Sequence, residues 1–431
     1  MLPEATAESP NLRANARHLL HDVAWYGVLA ASSMAFLSVY VTRQGASPFQ
    51  VALLTAGPAV VNLLGSIPLG RWMEGRHLVS AVFRSSVLSR LAYLLLIPVP
   101  ALLQREAQVW AVILLTVLMS VPGTLLAIGF NALFADMVPP EWRAFVVGRR
   151  NALFAVALTA TVLVCGRLLD TQPFPANYQW VFAIGAMGAL ASSYHLGRLR
   201  APSDDHLPPR IGKPIHDLAS PASVRLLDAG RSSSGLRFLT RARGRPLLRL
   251  DLLRGPFGAF ILAYLAFYTF QYLPLPIFPV FWVRVLHLTD GAIGLGSALF
   301  YVGMMATSIA LRRATALLGH RRLVHVSSLL YAIYPFLTWQ AQDATLYWIA
   351  SALGGAVWGL LNGALVNRLM ERVPDDDRPA HMAIHNLALN LGILLGSLLG
   401  PSLAAGLDLK GAMLGAGILR LLGGVFLVLG A

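Results

Sequence analysis

The sequence predicts an all-α membrane protein with twelve transmembrane helices in two six-helix bundles. Hydrophobic residues make up 56% of the 431 residues and charged residues only 13%, with a mean hydropathy of +0.63, which lies outside the range of soluble domains. Apolar stretches of about 20 residues, long enough to cross a bilayer, recur through most of the chain. Basic residues concentrate on alternate connecting segments, as expected of cytoplasmic loops.

The apolar runs divide into two sets of six. Polar residues between the runs place the first set near residues 22–42, 48–70, 78–103, 108–136, 144–169 and 177–198. The second set is expected near 255–283, 290–312, 321–340, 344–370, 378–406 and 411–430. The predicted domains are a cytoplasmic tail at 1–21, an N-terminal bundle at 22–199, a basic cytoplasmic linker at 200–253 and a C-terminal bundle at 254–431.

The orientation of the spans follows from the distribution of basic residues. With both ends inside, the inner segments contain 14 arginines even without the linker, whereas the outer loops contain only Arg43, Arg105, Arg284 and Lys410. The polar tail has no early apolar run or small-residue cleavage site of a signal peptide. We therefore expect a multi-pass protein of the bacterial inner membrane with both termini in the cytoplasm.

The net charge of +14, from 34 basic and 20 acidic residues, does not indicate a nucleic-acid partner. Lys213 and Lys410 are the only lysines, and the sequence has no Lys-rich tract and no RNA-binding type of motif with interleaved aromatic residues. In the linker, arginines alternate with Leu and Phe, which favours short amphipathic helices on anionic headgroups. The single cysteine, Cys165, lies in an apolar span, so no disulfide or Cys-based metal site is expected.

A short pattern occurs in both halves, 235 residues apart. Asp136-Met-Val-Pro-Pro-Glu-Trp-Arg143 corresponds to Glu371-Arg-Val-Pro-Asp-Asp-Asp-Arg378, and each copy is followed eight residues later by Asn. Both copies lie in the predicted inner loop between the fourth and fifth spans of their half. The acid and arginine of each copy could form a cytoplasmic latch. Helix capping and headgroup anchoring would explain the same residues.

These features together resemble the major facilitator superfamily over almost the whole chain. The loop from Gly65 to Arg76 is similar to the family signature between spans 2 and 3, although its aspartate is not in the expected place. Arg143-Ala-Phe-Val-Val-Gly148 looks like the family's start of span 5. The resemblance implies gating roles for Arg71 and Arg76. It also implies a central cavity lined by spans 1, 4, 7 and 10, with help from spans 2, 5, 8 and 11.

Amide and aromatic side chains near the expected midplane are candidates for this cavity, because polar groups are costly in lipid unless they are paired or face water. The predicted substrate-binding residues are Asn62, Tyr268, Gln271, Tyr272, Tyr301, Trp358, Asn362 and Asn390. Each could instead join neighbouring helices through polar contacts. A lining without carboxylates suits a neutral or anionic organic solute, such as a sugar-like or aromatic compound.

Span 7 is predicted to carry an aromatic face and a broken outer end. Its aromatic residues recur at three- and four-residue spacing from Phe257 to Tyr268. Pro274, Pro276 and Pro279 follow directly, and proline lacks the backbone donor that a regular helix needs. A bent segment at this place could act as a gate.

The charged residues within the spans do not decide whether transport is driven by protons. All acidic residues of the spans are expected near span ends, so the buried carboxylate that proton-driven carriers usually contain is not expected, although His385, Asp22 or Asp136 could take its place. The arginines within spans admit two interpretations. One is a positive cavity for an anionic substrate; the preferred one is that spans 3 and 12 are peripheral, as the resemblance implies, and that Arg84 and Arg167 extend toward the nearer interface. The residues concerned are Asp22, Asp136, Asp170, Asp290, Glu371, Arg84, Arg90, Arg167 and Arg420.

We predict no metal, no cofactor and no enzymatic activity. His381 and His385 share a helix face, but a metal site would need a third ligand, such as Asp375, Asp376 or Asp377, and the sequence has no His-Glu-x-x-His motif. The leading function is secondary transport of a small organic solute by alternating access, by a monomer in the lipid bilayer. A membrane-embedded lipid-modifying enzyme and a non-transporting membrane sensor remain as alternatives, although no nucleophile with a base and no phosphate-binding loop is evident.

Overall fold

The computed structural model describes residues 10–73, 76–200, 249–374 and 377–430, which are nearly all helical. The predicted linker and the first part of the predicted tail lie mostly outside these described residues. Two helices begin directly after a residue whose side chain caps them. Thr289 accepts a hydrogen bond from Ala292 N–H at the start of the helix that begins at Asp290. Asp343 accepts from two backbone N–H groups of the helix that begins at Ala344.

The N-terminal bundle contains six helices. The first, α1, comprises Pro10–Leu29 and Ala35–Arg43, joined by a π-helical turn at Ala30–Met34. The others are α2 at Pro48–Met73, α3 at Leu78–Leu96 with a short extension at Val99–Leu102, α4 at Arg105–Met137, α5 at Pro140–Thr171 and α6 at Ala176–Gly197.

The C-terminal bundle follows a short 3₁₀ helix at Leu250–Arg254. In α7, two segments at Pro256–Tyr272 and Ile277–Arg284 flank a break. The stretch Asp290–Leu330 contains α8 and the first part of α9, because Gly319 interrupts it with φ of 72°, and α9 continues at Ile333–Gln340. The last helices are α10 at Ala344–Arg372, α11 at Arg378–Gly406 and α12 at Leu409–Gly430.

The expected fold class is confirmed. Ten segments of the described residues are long and apolar enough to cross a membrane, and one of them, Asp290–Gln340, holds both α8 and α9. These ten segments hold eleven helices, and α6, which is not among them, brings the number in the described part of the chain to twelve. One boundary differs from expectation, since α1 begins at Pro10, inside the predicted tail. Polar residues there continue the helix beyond the apolar run.

The two bundles contact each other along a small set of helices. Within the first bundle α1 packs on α5 and α6, and within the second α7 packs on α11 and α12. Between the bundles, α2 packs on α11, α5 on α8, and the outer part of α1 on that of α7. We call the end where α1 ends and α8 begins the outer end, following the predicted orientation, and the opposite end the inner end.

Candidate functional site

A cavity of about 520 Å³ lies between the two bundles. Its walls come from α1, α2, α3 and α4 on one side and from α7, α10 and α11 on the other. One lining residue, Trp358, is fourteen residues from each end of α10, which places the cavity at middle depth. The volume is in the range of pockets that enclose small organic molecules.

Most of the predicted binding residues line this cavity. They are Asn62, Tyr268, Gln271, Tyr272, Trp358, Asn362 and Asn390. Tyr301 is not among the lining residues. Its ring lies beside that of Phe300, with centroids 5.9 Å apart, and packs against a buried apolar cluster. The structure thus brings seven of the eight residues together, and their role in binding stays a prediction.

The C-terminal wall offers an unsatisfied acceptor beside aromatic rings. Gln271, in the last turn before the α7 break, is 4% exposed, and its Oε1 has no hydrogen-bond partner among the described residues. An unpaired buried acceptor costs about 1–3 kcal/mol, so this atom favours a donor in the cavity. Tyr268 Oη lies 3.0 Å from His385 Nε2. The ring of Trp358 stacks on Tyr331 at 5.1 Å, which fixes its orientation.

One lining amide joins two helices directly, and another bonds to a neighbouring residue that does. Asn62 Oδ1 accepts a hydrogen bond from Thr124 Oγ1 at 2.5 Å, linking α2 to α4. Asn390 Nδ2 donates to the Asn386 carbonyl at 2.9 Å within α11. Asn386 Nδ2 in turn donates to Ser66 Oγ on α2 at 3.4 Å, across the bundle interface. Asn62 therefore both links two helices and lines the cavity, whereas Asn390 depends on Asn386 for the contact between the bundles.

The N-terminal wall contains residues that sequence reasoning missed. Ser89, Arg90 and Tyr93 of α3 line the cavity, together with Tyr26 of α1. The resemblance implied a peripheral third span, and this expectation is wrong for the side of α3 that lines the cavity. The exposed Arg84, six residues earlier, lies on the other side of the same helix. Helical spacing of Ser86, Ser89, Arg90 and Tyr93 was the signal that could have identified this face.

A buried charge cluster lies behind this wall. Asp22 is 0% exposed and Arg90 is 2% exposed. Asp22 Oδ1 lies 3.9 Å from Arg90 Nη2, and Asp22 Oδ2 lies 3.8 Å from Arg150 Nη2 on α5. Ser192 Oγ on α6 donates to Asp22 Oδ1. The cluster therefore joins α1, α3, α5 and α6 through one carboxylate and two guanidinium groups.

Two expectations about charge are corrected by this cluster. Asp22 was placed near a span end, but α1 begins twelve residues earlier, so its carboxylate lies inside the bundle. Arg90 was expected in a peripheral span, but its Nη1 donates to Ser86 Oγ at 2.7 Å and to Ser193 Oγ at 2.9 Å in the bundle interior. Pairing among the helices explains how these charges are tolerated at this depth.

The expected break in α7 is present and is held by a buried arginine. Helix geometry ends at Tyr272 and resumes at Ile277. In a continuous helix the N–H of Leu275 would donate to the Gln271 carbonyl. Here it donates to the Tyr272 carbonyl, so the Gln271 carbonyl has no partner within its helix. Arg420 Nη2 on α12 donates to this carbonyl at 2.5 Å. Arg420 is 0% exposed, and its guanidinium lies 4.6 Å from the ring centre of Tyr331, so this arginine of span 12, which the resemblance implied to be peripheral, faces the interior of its bundle.

Polar contacts join the two bundles at the outer end. Arg43 at the end of α1 donates from Nε and Nη2 to Asp290 Oδ1 of α8, at 3.2 and 3.1 Å. Tyr178 Oη of α6 donates to Asp290 Oδ2 at 3.0 Å. Asp170 of α5 accepts from Thr289 Oγ1 at 2.9 Å and from Gly291 N–H at 3.0 Å. We call Arg43, Asp170, Tyr178, Thr289, Asp290 and Gly291 the outer latch.

At the inner end, the predicted gating residues are only partly described. The side chains of Asp136 and Arg378 lie outside the described residues. Arg143 Nε donates to the Val138 carbonyl at 2.8 Å, and Glu371 accepts from Arg368 at 2.9 Å within its own bundle. Arg71 is exposed.

Two loop arginines make further contacts at the inner end. Arg76 packs over the Trp72 ring at 3.8 Å. Arg249 joins the end of the linker to the loop before α11 through Asp377, at 2.8 Å. Arg249 also donates to Asp251, and this hydrogen bond lowers the pKa of the Asp251 carboxyl.

The two histidines of α11 have protein partners in the structure. His385 contacts Tyr268, and His381 Nδ1 lies 2.9 Å from the Asp377 carbonyl and 3.5 Å from Asp377 Oδ2. Asp375 and Asp376, two of the three suggested third ligands, lie outside the described residues, and among the described ones no group of three or more His, Cys, Asp or Glu residues is suited to a metal ion. The described lining of the cavity offers hydrogen-bonding groups, aromatic rings and a guanidinium.

Comparison with known proteins identifies the architecture. The family profile of the Major Facilitator Superfamily matches residues 23–275 and 260–430. No curated protein sequence matches the chain. Among solved structures, the nucleoside transporter NupG is similar with a TM-score of 0.66 at 10% identity, covering 98% of this chain and 99% of that one.

Two other solved structures have the same fold. The xylose transporter XylE from E. coli, in a partially occluded inward-open conformation, has a TM-score of 0.64 at 13% identity and 97% coverage of both chains. The human organic anion transporter MFSD10 has a TM-score of 0.60 at 15% identity, covering 97% of this chain and 100% of that one. At these identities the likeness is one of fold.

Proposed function

The chain belongs to the major facilitator superfamily, and on this premise we propose that it is a secondary transporter that moves a small organic solute through the central cavity by alternating access. The observation that carries the proposal is the cavity itself, at middle depth between two bundles and closed at the outer end by contacts between them. Rocking of the bundles about such a site would open it to each side in turn.

The chemistry of the lining supports a neutral or anionic solute with ring surface and hydrogen-bonding groups. Gln271 offers an acceptor without a partner, Trp358 offers a ring held in place, and Asn362 adds an amide. None of the described lining residues is Asp or Glu, so a polyvalent cation would lose its hydration without compensation. Two structures of similar fold are transporters of a nucleoside and of xylose, which agrees with this class.

Gating is proposed at both ends. The outer latch would hold the outward side closed, since its contacts join residues of different bundles. At the inner end, we retain the repeated loops as latches, with Asp136 and Arg143 in one copy and Glu371 and Arg378 in the other, while Arg71 and Arg76 follow the family signature. Arg143→Gln or Arg378→Gln should leave membrane insertion intact and alter the transport rate; unchanged transport in both variants would refute the inner latch.

The remaining proposals concern location and organisation. We propose a monomer in a bacterial inner membrane with both termini and the 200–253 linker in the cytoplasm, and domains at 22–199 and 254–431. A role as an enzyme has less support than transport, because the family is one of transporters. No metal or cofactor is proposed.

The test is uptake by the purified full-length chain in proteoliposomes, with a panel of sugars, nucleosides and aromatic acids. Saturable uptake of one solute class above that of empty liposomes is expected. Binding of that solute should weaken in Gln271→Ala or Asn362→Ala. Product formation without net flux would instead identify an enzyme, and binding without flux a sensor.

A further inference from the structure

A buried arginine of α12, Arg420, lies behind the C-terminal wall of the cavity. It is 0% exposed and is not among the residues that line the cavity. Its Nη2 donates to the Gln271 carbonyl at 2.5 Å, and its guanidinium lies 4.6 Å from the ring centre of Tyr331. Each of these two contacts leads to a side chain that does line the cavity.

The first contact holds the last turn of α7 before its break. Helix geometry ends at Tyr272, so the Gln271 carbonyl has no partner within its own helix. The hydrogen bond from α12 satisfies this carbonyl and holds the backbone from which the Gln271 side chain extends. Gln271 Oε1 is the acceptor without a partner in the cavity wall. The position of that acceptor therefore depends on Arg420.

The second contact supports the indole ring of the same wall. Tyr331 lies between the two segments of α9 and is 6% exposed. Its ring stacks on that of Trp358, with centroids 5.1 Å apart and an interplanar angle of 27°. The guanidinium over the Tyr331 ring adds a cation–π attraction, which limits how far that ring can tilt. Because the two rings stack, the orientation of the indole in the cavity depends on the same arginine.

Stability alone gives little reason for an arginine at this position. Nε and Nη1 of Arg420 are buried and have no hydrogen-bond partner among the described residues. One hydrogen bond and contacts with aromatic rings offset only part of the cost of removing a guanidinium from water. Replacing buried charged groups by apolar side chains of similar volume is often neutral or stabilising. The contacts of Arg420 therefore favour a role in the geometry of the wall over a role in the stability of the bundle.

We infer that Arg420 is a positioning residue of the solute site, which sets the acceptor of Gln271 and the ring of Trp358 without touching the solute. This inference rests on the proposed function, in which the solute binds against that wall. With both groups held in place before the solute arrives, less conformational freedom is lost when it binds. Loss of Arg420 should therefore weaken binding even though it removes no contact with the solute.

Two substitutions separate the two contacts, and a third is the control. Arg420→Met keeps an unbranched side chain but removes both the hydrogen bond and the charge. Arg420→Lys keeps a donor for the Gln271 carbonyl, but its ammonium lacks the planar surface that stacks on Tyr331. Lys410→Met removes an exposed cation from the same helix and should behave like the parent in every measurement.

The first measurement needs no solute. In the full-length protein labelled with 5-fluorotryptophan, the fluorine NMR resonance of Trp358 is identified by its loss in Trp358→Phe. Arg420→Met should broaden or split this resonance, because the ring then samples more than one orientation. The resonance of Trp110, an exposed residue of the N-terminal bundle, should not change. A Trp358 resonance in Arg420→Met that is single and as narrow as in the parent would overturn the inference.

The melting temperature separates positioning from a purely structural role. If Arg420 serves the geometry of the wall, the melting temperature of Arg420→Met should rise or stay within about 4 °C of the parent, a change of roughly 1 kcal/mol at most. A larger fall, or failure of this variant to fold, would identify Arg420 as a residue that holds the bundle together. Either result would overturn the inference.

Binding is then measured by calorimetry with D-xylose, uridine and 4-hydroxybenzoate as probes. A probe whose binding to the parent depends on Gln271 should bind Arg420→Met about 10-fold more weakly, and Arg420→Lys with intermediate affinity. In a Gln271→Ala background the effect of Arg420→Met should be smaller, because one of its two routes to the solute is already lost.

The outcomes distinguish this inference from the proposed function. Equal affinity of the parent and Arg420→Met for such a probe would overturn the positioning role and leave the proposed function standing. If none of the three probes binds the parent, the solute class of the proposed function loses its support, and the Trp358 resonance still decides whether Arg420 positions the wall.

Discussion

Replacing Asp290 by asparagine should open the outer end of the protein. Asp290 receives two hydrogen bonds from Arg43, at 3.1 and 3.2 Å, and one from Tyr178 at 3.0 Å. Both donors belong to the N-terminal bundle, whereas Asp290 begins α8 of the other. The substitution keeps the size of the side chain and removes the charge. It therefore weakens the contact between bundles without changing the packing inside either one.

The expected magnitude follows from partial burial. The side chain of Arg43 is 30% exposed and that of Asp290 9%. Fully exposed pairs are worth about 0.2–1 kcal/mol, and breaking fully buried ones costs about 3–5 kcal/mol. For this partly buried contact we expect Asp290→Asn to lose about 1–3 kcal/mol of interaction free energy. This loss would shift the equilibrium from the outer-closed toward the outer-open state by roughly 5- to 150-fold.

The assay measures access to the cavity from outside. Cys165 is the only cysteine and is buried, so Cys165→Ala provides a background without reactive thiols. Ser38→Cys then places one thiol at the cavity lining on α1. Its labelling rate with a membrane-impermeant maleimide, added to intact cells, should rise in Asp290→Asn in proportion to the shift in the equilibrium.

A matched control makes the result decisive. Asp343 lies at the same outer end, but it accepts hydrogen bonds only from Thr345 and Leu346 N–H groups of its own helix among the contacts described. Asp343→Asn should therefore leave the labelling rate within about twofold of the parent. Equal labelling of Asp290→Asn and the parent, with both proteins folded, would refute the latch. An equal rise in both variants would refute its specificity.

Three further predictions concern the site, the packing of α7 and the topology. Gln271→Ala and Asn362→Ala should each weaken binding of the solute by about 1–3 kcal/mol through loss of a buried hydrogen bond, as measured by thermal-shift titration, and parental affinity in both would contradict this placement. Gly396→Ala should lower the melting temperature, because the added Cβ would lie 2.2 Å from the Thr269 carbonyl oxygen, whereas Gly406→Ala on the same helix meets nothing within 4 Å and should not. Tags at both termini and within residues 200–253 should report a cytoplasmic location, and a periplasmic tag at either end would contradict the topology.

Much of the fold could be predicted from the sequence, because hydropathy and loop charge report directly on the bilayer. The break after Tyr272 was also predictable, because proline lacks a backbone N–H donor whatever the helix packs against. The start of α1 was not, because residues 10–21 are polar and the local pattern does not reveal that a helix continues beyond the apolar run. That error placed Asp22 at a span end and hid the buried carboxylate.

The candidate site was predictable on one wall more than on the other. Gln271 and Trp358 stand out as polar or aromatic residues in apolar spans, and the cavity includes them. Arg90 was visible in the sequence, but its partner Asp22 lies on a different helix, and a single sequence does not say which helices meet. For the same reason the contact between Arg43 and Asp290, 247 residues apart, became evident only from the structure.

Cross-linking the outer latch tests the central claim of alternating access most directly. In the Cys165→Ala background, Arg43→Cys with Asp290→Cys places two thiols where side chains of the two bundles now meet. A reducible cross-link between them should abolish solute uptake into proteoliposomes, and reduction should restore it, while either single variant treated in the same way keeps transporting. Undiminished uptake by the fully cross-linked protein would contradict the account.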